Sequence, residues 1–166
     1  MSDYAEPGRS NGLHAKLAAR LRDQAHDIRR LVAGLDEEAL ARRPIPDKWS
    51  LKEVVAHLWR VQEVFESRIE AMLTRTKPVL APYEPEGDPE FAVKLNRTSA
   101  DLLDEFLGER EELAALLESL SPGDWRHRGV QPEYRHYDVQ FAVECLAYHE
   151  AHHIYQMLHR RSLAVP

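Results

Sequence analysis

Apolar residues along the chain recur at steps of three, four and seven, and no stretch alternates β-branched and polar residues. The periodicity predicts helices throughout and no sheet. A first helix is predicted from about Gly12 to Gly34, with Leu13, Leu17, Leu21, Ile28, Leu31 and Leu35 marking its stripe and Gly34 as its C-cap. A short helical turn from Asp36 to Arg42 stops at Pro44 and Pro46. Ser50-Leu51-Lys52-Glu53 then has the form of a capping box, which opens a second helix running through Val54, Val55, Leu58, Val61, Phe65, Ile69 and Met72 to about Thr76.

Pro78, Pro82, Pro85, Gly87 and Pro89 make a crossover loop. A third helix follows from roughly Glu90 to Leu120, with an interruption expected at Gly108. A second polar loop holds Arg126 to Tyr137, and Asp138 is the N-cap of the fourth helix. Four long amphipathic helices with one long crossover define an all-α four-helix bundle, an architecture that builds metal sites from side chains on facing helices.

Length and charge narrow the picture. A chain of 166 residues suits one domain spanning 1–166, with residues 1–11, polar and containing Pro7 and Gly8, expected to be flexible. Acidic residues outnumber basic ones by 28 to 22, a formal charge of -6 that draws no nucleic acid. The arginines between Arg20 and Arg43 are interleaved with acids and read as a solvated face. One cysteine, Cys145, forbids an internal disulfide and is expected to be a small buried hydrophobe. The N-terminus lacks the apolar run of a signal peptide and no segment is long enough to span a bilayer, so a cytoplasmic protein without membrane attachment is expected.

Candidate chemistry lies in His149-Glu150-Ala151-His152-His153. Residues four apart on a helix share a face, so His149 and His153 can reach one ion. The spacing alone is a short motif that nine histidines can produce by chance. However, the two histidines continue the stripe Ala142, Leu146, His149, His153, Gln156, and two imidazoles on an inward face are costly to bury unless something binds both. His152 is turned about 100° away and is the second choice. A catalytic-type site needs a third ligand. His57, embedded in Val54-Val55-Ala56-His57-Leu58-Trp59, is the best candidate and His26 the next. His14, His127, His136 and His159 fall near helix ends or in loops and are expected to be solvated. The ion expected is one divalent transition metal, zinc or nickel, since imidazole suits both.

The same run satisfies the His-Glu-x-x-His pattern of metalloproteases. Only thirteen residues follow His153 and no strand is predicted to bind a peptide edge-on, so the protease reading is set aside, with Glu150 expected to be an exposed helix residue.

Trp49-Ser50-Leu51-Lys52-Glu53-Val54-Val55-Ala56-His57-Leu58, with His149-Glu150-Ala151-His152-His153-Ile154-Tyr155-Gln156 some ninety residues later, resembles the DinB/YfiT-like superfamily of metalloenzymes. The resemblance spans the first helix to nearly the C-terminus. It implies an up-down-down-up four-helix bundle, often a homodimer, binding one divalent ion through His57, His149 and His153 with open positions for water or a small-molecule substrate. It also implies either activation of a low-molecular-weight thiol in S-transfer chemistry, or metal-dependent hydrolysis, or a non-catalytic metal-binding role in stress.

Overall fold

The computed structural model describes residues 10–164. Most of the segment expected to be flexible, residues 1–9, lies outside them. Among the described residues there are six α-helices: α1 (Ser10–Val32), α2 (Glu37–Ala41), α3 (Leu51–Thr74), α4 (Pro89–Leu95), α5 (Ser99–Ser119) and α6 (Val139–Ala164), with a 3₁₀ turn at Asp124–Arg126. Local chemistry sets their ends. Gly34 follows α1 at φ +76°, a conformation that costs glycine little. Ser50 Oγ accepts from Glu53 N (3.1 Å) while the Glu53 carboxylate accepts from Ser50 N (2.7 Å), completing the capping box of α3. Asp138 Oδ1 accepts from Phe141 N (2.8 Å) at the start of α6.

The third predicted helix is two helices. α4 begins at the Asp88 cap and Pro89, the chain turns through Asn96, and Thr98 Oγ1 accepts from Asp101 N (3.1 Å) to start α5. A Thr-x-x-Asp cap inside a periodic run moved the break to residues 96–98. Gly108, where the interruption was expected, is continuous helix.

Cross-helix hydrogen bonds fix the directions. His14 pairs with Gln140, Gln24 with Ala147 and Arg161 with Leu31, so α1 and α6 run the same way. Arg22 meets Glu118 while Arg29 meets Asp104, so α5 opposes α1. Trp49 meets Arg160 and His57 meets His149, so α3 opposes α6. The result is the up-down-down-up bundle. α1 and α3, consecutive long helices, do not pack side by side; each lies between α5 and α6.

The core divides along the bundle into two apolar clusters. One is built around Leu21, Val61, Leu113 and Leu146, the other around Ile28, Leu58, Phe106 and Met157. Between them each long helix contributes a buried polar residue: Gln24, Gln62, Arg110 and Glu150. None of the described helices is long and apolar enough to cross a membrane.

The two long loops pair with each other over one end of α3 and α6. Leu80 N donates to Val130 O and Val130 N to Pro78 O, each at 2.8 Å. Gly129 permits this approach, since a Cβ there would lie 2.5 Å from Leu80 Cδ1 and 3.2 Å from Met72 Cγ.

Candidate functional site

The capping box fixes where α3 begins and so places His57 two turns in, on the face opposing α6. There His57 Nε2 lies 3.2 Å from His149 Nε2, which lies 3.2 Å from His153 Nε2. A ligand atom from each of the three lies within 4.8 Å of the others, and this is the one such group of potential metal donors among the described residues. His57 and His153 are buried; His149 is more open. Trp49, just ahead of the cap, packs its ring on His57 with centroids 4.8 Å apart, and Phe91 of α4 backs it at 5.5 Å.

Burial, reinforced by the neighbouring imidazoles, pushes His57 down to about 4 and His149 down to about 3. Burial also lowers His153, against a hydrogen bond to Gln156. All three are neutral near pH 7, each with one nitrogen lone pair to offer. The Gln156 amide spans His153 Nδ1 and His152 Nε2 at 3.0 Å each, its oxygen accepting from Nδ1–H and its nitrogen donating to His152. His153 therefore points a lone pair from Nε2 at His149.

Hydrogen bonding alone does not satisfy this cluster. His149 Nε2 has one in-plane site, either N–H or lone pair, and two close nitrogen neighbours. With His153 Nε2 unprotonated, at most one of the two contacts is a proper hydrogen bond. The Nδ1 atoms of His57 and His149 are buried with no hydrogen-bond partner. Two nitrogens each about 2.1 Å from a tetrahedral ion stand about 3.4 Å apart, close to the separations seen, and the orienting amide behind His153 is the kind of support that metal-bound imidazoles carry. The donor set fits a divalent transition metal.

A cleft of about 240 Å³ opens beside His57 and His149, walled by Val61, Phe65 and Arg68 of α3, Tyr83 and Pro85 of the first loop, Tyr134 and Tyr137 of the second, and Cys145. Cys145 is thus half-buried on a cleft wall, not the small buried hydrophobe expected, and its thiol is raised first by burial and then by Glu144.

The other histidines lie elsewhere. His26 is exposed on α1 and takes no part in the cluster; His152, His136 and His159 are exposed, as is His127, whose Nδ1 donates to Met72 O (3.0 Å). His14 departs from expectation. It is buried, stacked on Trp125 at 4.2 Å with its Nε2 2.9 Å from Gln140 Oε1, because the second loop folds back over the start of α1.

Glu150 also departs from expectation: it is fully buried. Both carboxylate oxygens accept from the Arg110 guanidinium, which also donates to Gln62 Oε1 (2.6 Å) and Leu21 O (3.0 Å). Sequence reasoning passed over Arg110 and Gln62. The signal was there: Arg110 continues the stripe Leu102, Phe106, Leu113, Leu117, and Gln62 continues Leu58, Ile69, each a polar residue at an apolar phase.

With this geometry in hand, likeness to known proteins is informative. A family model described as the DinB superfamily matches residues 20–157. An uncharacterized protein of Bacillus subtilis, YuaE, is 24% identical over 141 residues, covering 75% of this chain and 84% of the relative. Among solved structures, YfiT from Bacillus subtilis superposes with a TM-score of 0.76 at 16% identity, covering 96% of this chain and 90% of that one. YfiT is described as a probable metal-dependent hydrolase with an unusual four-helix bundle topology.

Proposed function

The chain belongs to the DinB superfamily, and from that premise we propose that it is a metal-dependent enzyme whose His57, His149 and His153 hold one divalent transition metal, zinc or nickel, beside a cleft for a small-molecule substrate. The observation that carries this reading is the convergence of three neutral imidazole Nε2 atoms in an arrangement that hydrogen bonding leaves unsatisfied. A divalent ion held there supplies Lewis acidity to a nucleophile brought to it, a thiol or a water molecule.

The chain's own groups support this chemistry. Three neutral ligands bring no negative charge, which favours an anionic nucleophile such as the thiolate of a low-molecular-weight thiol. Gln156 holds the His153 ring in one tautomer. The more open His149 faces the cleft, so a nucleophile and substrate would approach from that side. The proposal includes a homodimer working in the cytoplasm. Hydrolysis, with water as the nucleophile, is the second reading, and the likeness to YfiT favours it.

Elemental analysis of protein purified without an affinity tag tests the first claim: one divalent transition metal per chain is expected, and no metal together with no uptake on reconstitution would overturn it. Cobalt- or nickel-substituted protein then separates the nucleophiles. A sulfur-to-metal charge-transfer band on adding a bacterial low-molecular-weight thiol, absent in His153→Ala, supports the S-transfer reading. Silence across several thiols at millimolar concentration turns the assignment to hydrolysis.

A further inference from the structure

One charge in the cleft is left over by the three-histidine reading. Along α3 the cleft-facing residues are His57, Val61, Phe65 and Arg68, at steps of four, four and three, so a single stripe runs from a histidine through two apolar side chains to a cation. Eleven residues are about 16 Å of helix axis, shortened by the lean of long helical side chains toward the N-terminus.

Arg68 is the exception among the cations of α3. Lys52 pairs with Glu37, and Arg60 pairs with Asp88 and Glu63. Arg68 has no carboxylate partner among the described residues. Its Nη2 donates to the Ala81 carbonyl (2.7 Å), its Nη1 to the Tyr137 hydroxyl (3.4 Å), and its guanidinium lies over the Phe65 ring at 5.1 Å. These contacts hold the group in place and leave its charge uncompensated. The acid at the cleft rim, Glu133, is engaged instead by Gln131 Nε2 (2.8 Å).

We propose that Arg68 is a specificity determinant: it binds the carboxylate end of a small, elongated substrate whose middle is apolar or aromatic and whose reacting end lies at the histidines. The proposal rests on the cleft being the substrate site of the function proposed above. A guanidinium offers paired donors that match a carboxylate, and the bond is charge-assisted on both sides. Val61, Phe65, Tyr134 and Tyr137 supply the apolar middle. The volume, about 240 Å³, lies below the roughly 300–1,000 Å³ of drug-sized sites and limits the ligand to a small molecule.

Calorimetric titration of the metal-free full-length protein with 4-phenylbutanoate and with its neutral amide tests the assignment without any contribution from an ion. The wild type is expected to bind the acid about ten-fold or more tightly than the amide, the scale of a hydrogen bond to a charged group. Arg68→Gln should bring the ratio to near one while leaving the amide affinity in place, and Arg68→Lys should keep part of the preference. Arg68→Met, which retains an unbranched stem over Phe65, repeats the test should glutamine lower the helical circular dichroism. Equal affinity for acid and amide, no binding of either up to millimolar concentration, or a preference that survives Arg68→Gln and Arg68→Met overturns the proposal. An Arg68-dependent preference in a protein that takes up no metal would overturn the metal reading alone.

Discussion

Arg110 and Glu150 meet between the two halves of the core, each 1% exposed, with the guanidinium donating to both carboxylate oxygens. Glu150 is the glutamate of the His-Glu-x-x-His run, and its pairing decides what that run is for. A general base must reach the proton it removes. This carboxylate is held by Arg110, whose guanidinium also binds Gln62 and Leu21, while the histidines on either side of it in sequence turn to His57. The protease-like pattern is therefore split between two tasks, with the histidines at a candidate metal centre and the glutamate in an ion pair of the bundle.

Breaking that pair from one side leaves a charge buried without its partner. Glu150→Ala and Arg110→Ala are each expected to destabilise the fold by about 3–5 kcal/mol, whereas Arg110→Met combined with Glu150→Leu should cost far less, since apolar replacement of both partners is often neutral. Urea unfolding of the three variants checks this. Single variants as stable as the wild type would show that the pair contributes nothing to the fold.

How much of this was legible in the sequence follows from what periodicity records. It records which face of a helix is apolar, so the four long helices, the capping box at Ser50 and the histidines on inward stripes could all be read. It does not record which helices become neighbours. That α3 faces α6 across His57 and His149 follows from the bundle's connectivity, which here came from family resemblance. Nor does an apolar stripe reveal a polar layer across it. Arg110 and Glu150 each stand at an apolar phase of their helix, but a polar residue there does not name its partner, and each is acceptable in the core only in the presence of the other. His14 was misjudged for a related reason: its burial depends on Trp125, more than a hundred residues away, closing over it.

The ligand set can be separated residue by residue. His57→Ala, His149→Ala and His153→Ala should each abolish tight metal uptake, because a tetrahedral site with two remaining imidazoles loses a third of its protein donors. His152→Ala should weaken uptake little, since His152 is exposed and its Nε2 accepts from Gln156, outside the cluster. Competition against a chromogenic chelator measures all four. Equal loss in the His152 variant would exchange the roles of the adjacent pair.

The metal-free chain should keep its fold. Two extensive apolar clusters support the bundle independently of the histidines, and a domain of this size buries enough surface to need no ion. Chelation is expected to leave helical circular dichroism intact and to lower stability only by linkage, about 2.7 kcal/mol if free metal had stood at a hundred times its dissociation constant. Unfolding on chelation would make the ion structural.

Glu66 gives the fold a pH dependence that owes nothing to the ion. Its carboxyl is pushed up to about 7 from the ordinary 4.5, first by burial and then by the nearby Glu109, and its Oε1 is buried without a hydrogen-bond partner. Below the unfolded value both states hold the proton. Between the two values the unfolded chain releases it and the folded chain keeps it, so the folded state binds more protons and its stability falls as pH rises toward the folded value. Glu66→Gln removes this linkage. Relative to wild type the variant should therefore gain stability from pH 5 up to about pH 7 and level off above it. Urea unfolding of both proteins across that range, with metal chelated so that histidine coordination drops out, checks the sign. Other titrating groups are common to both proteins and largely cancel in the difference. Parallel stability curves would show that Glu66 ionises alike in the folded and unfolded chain.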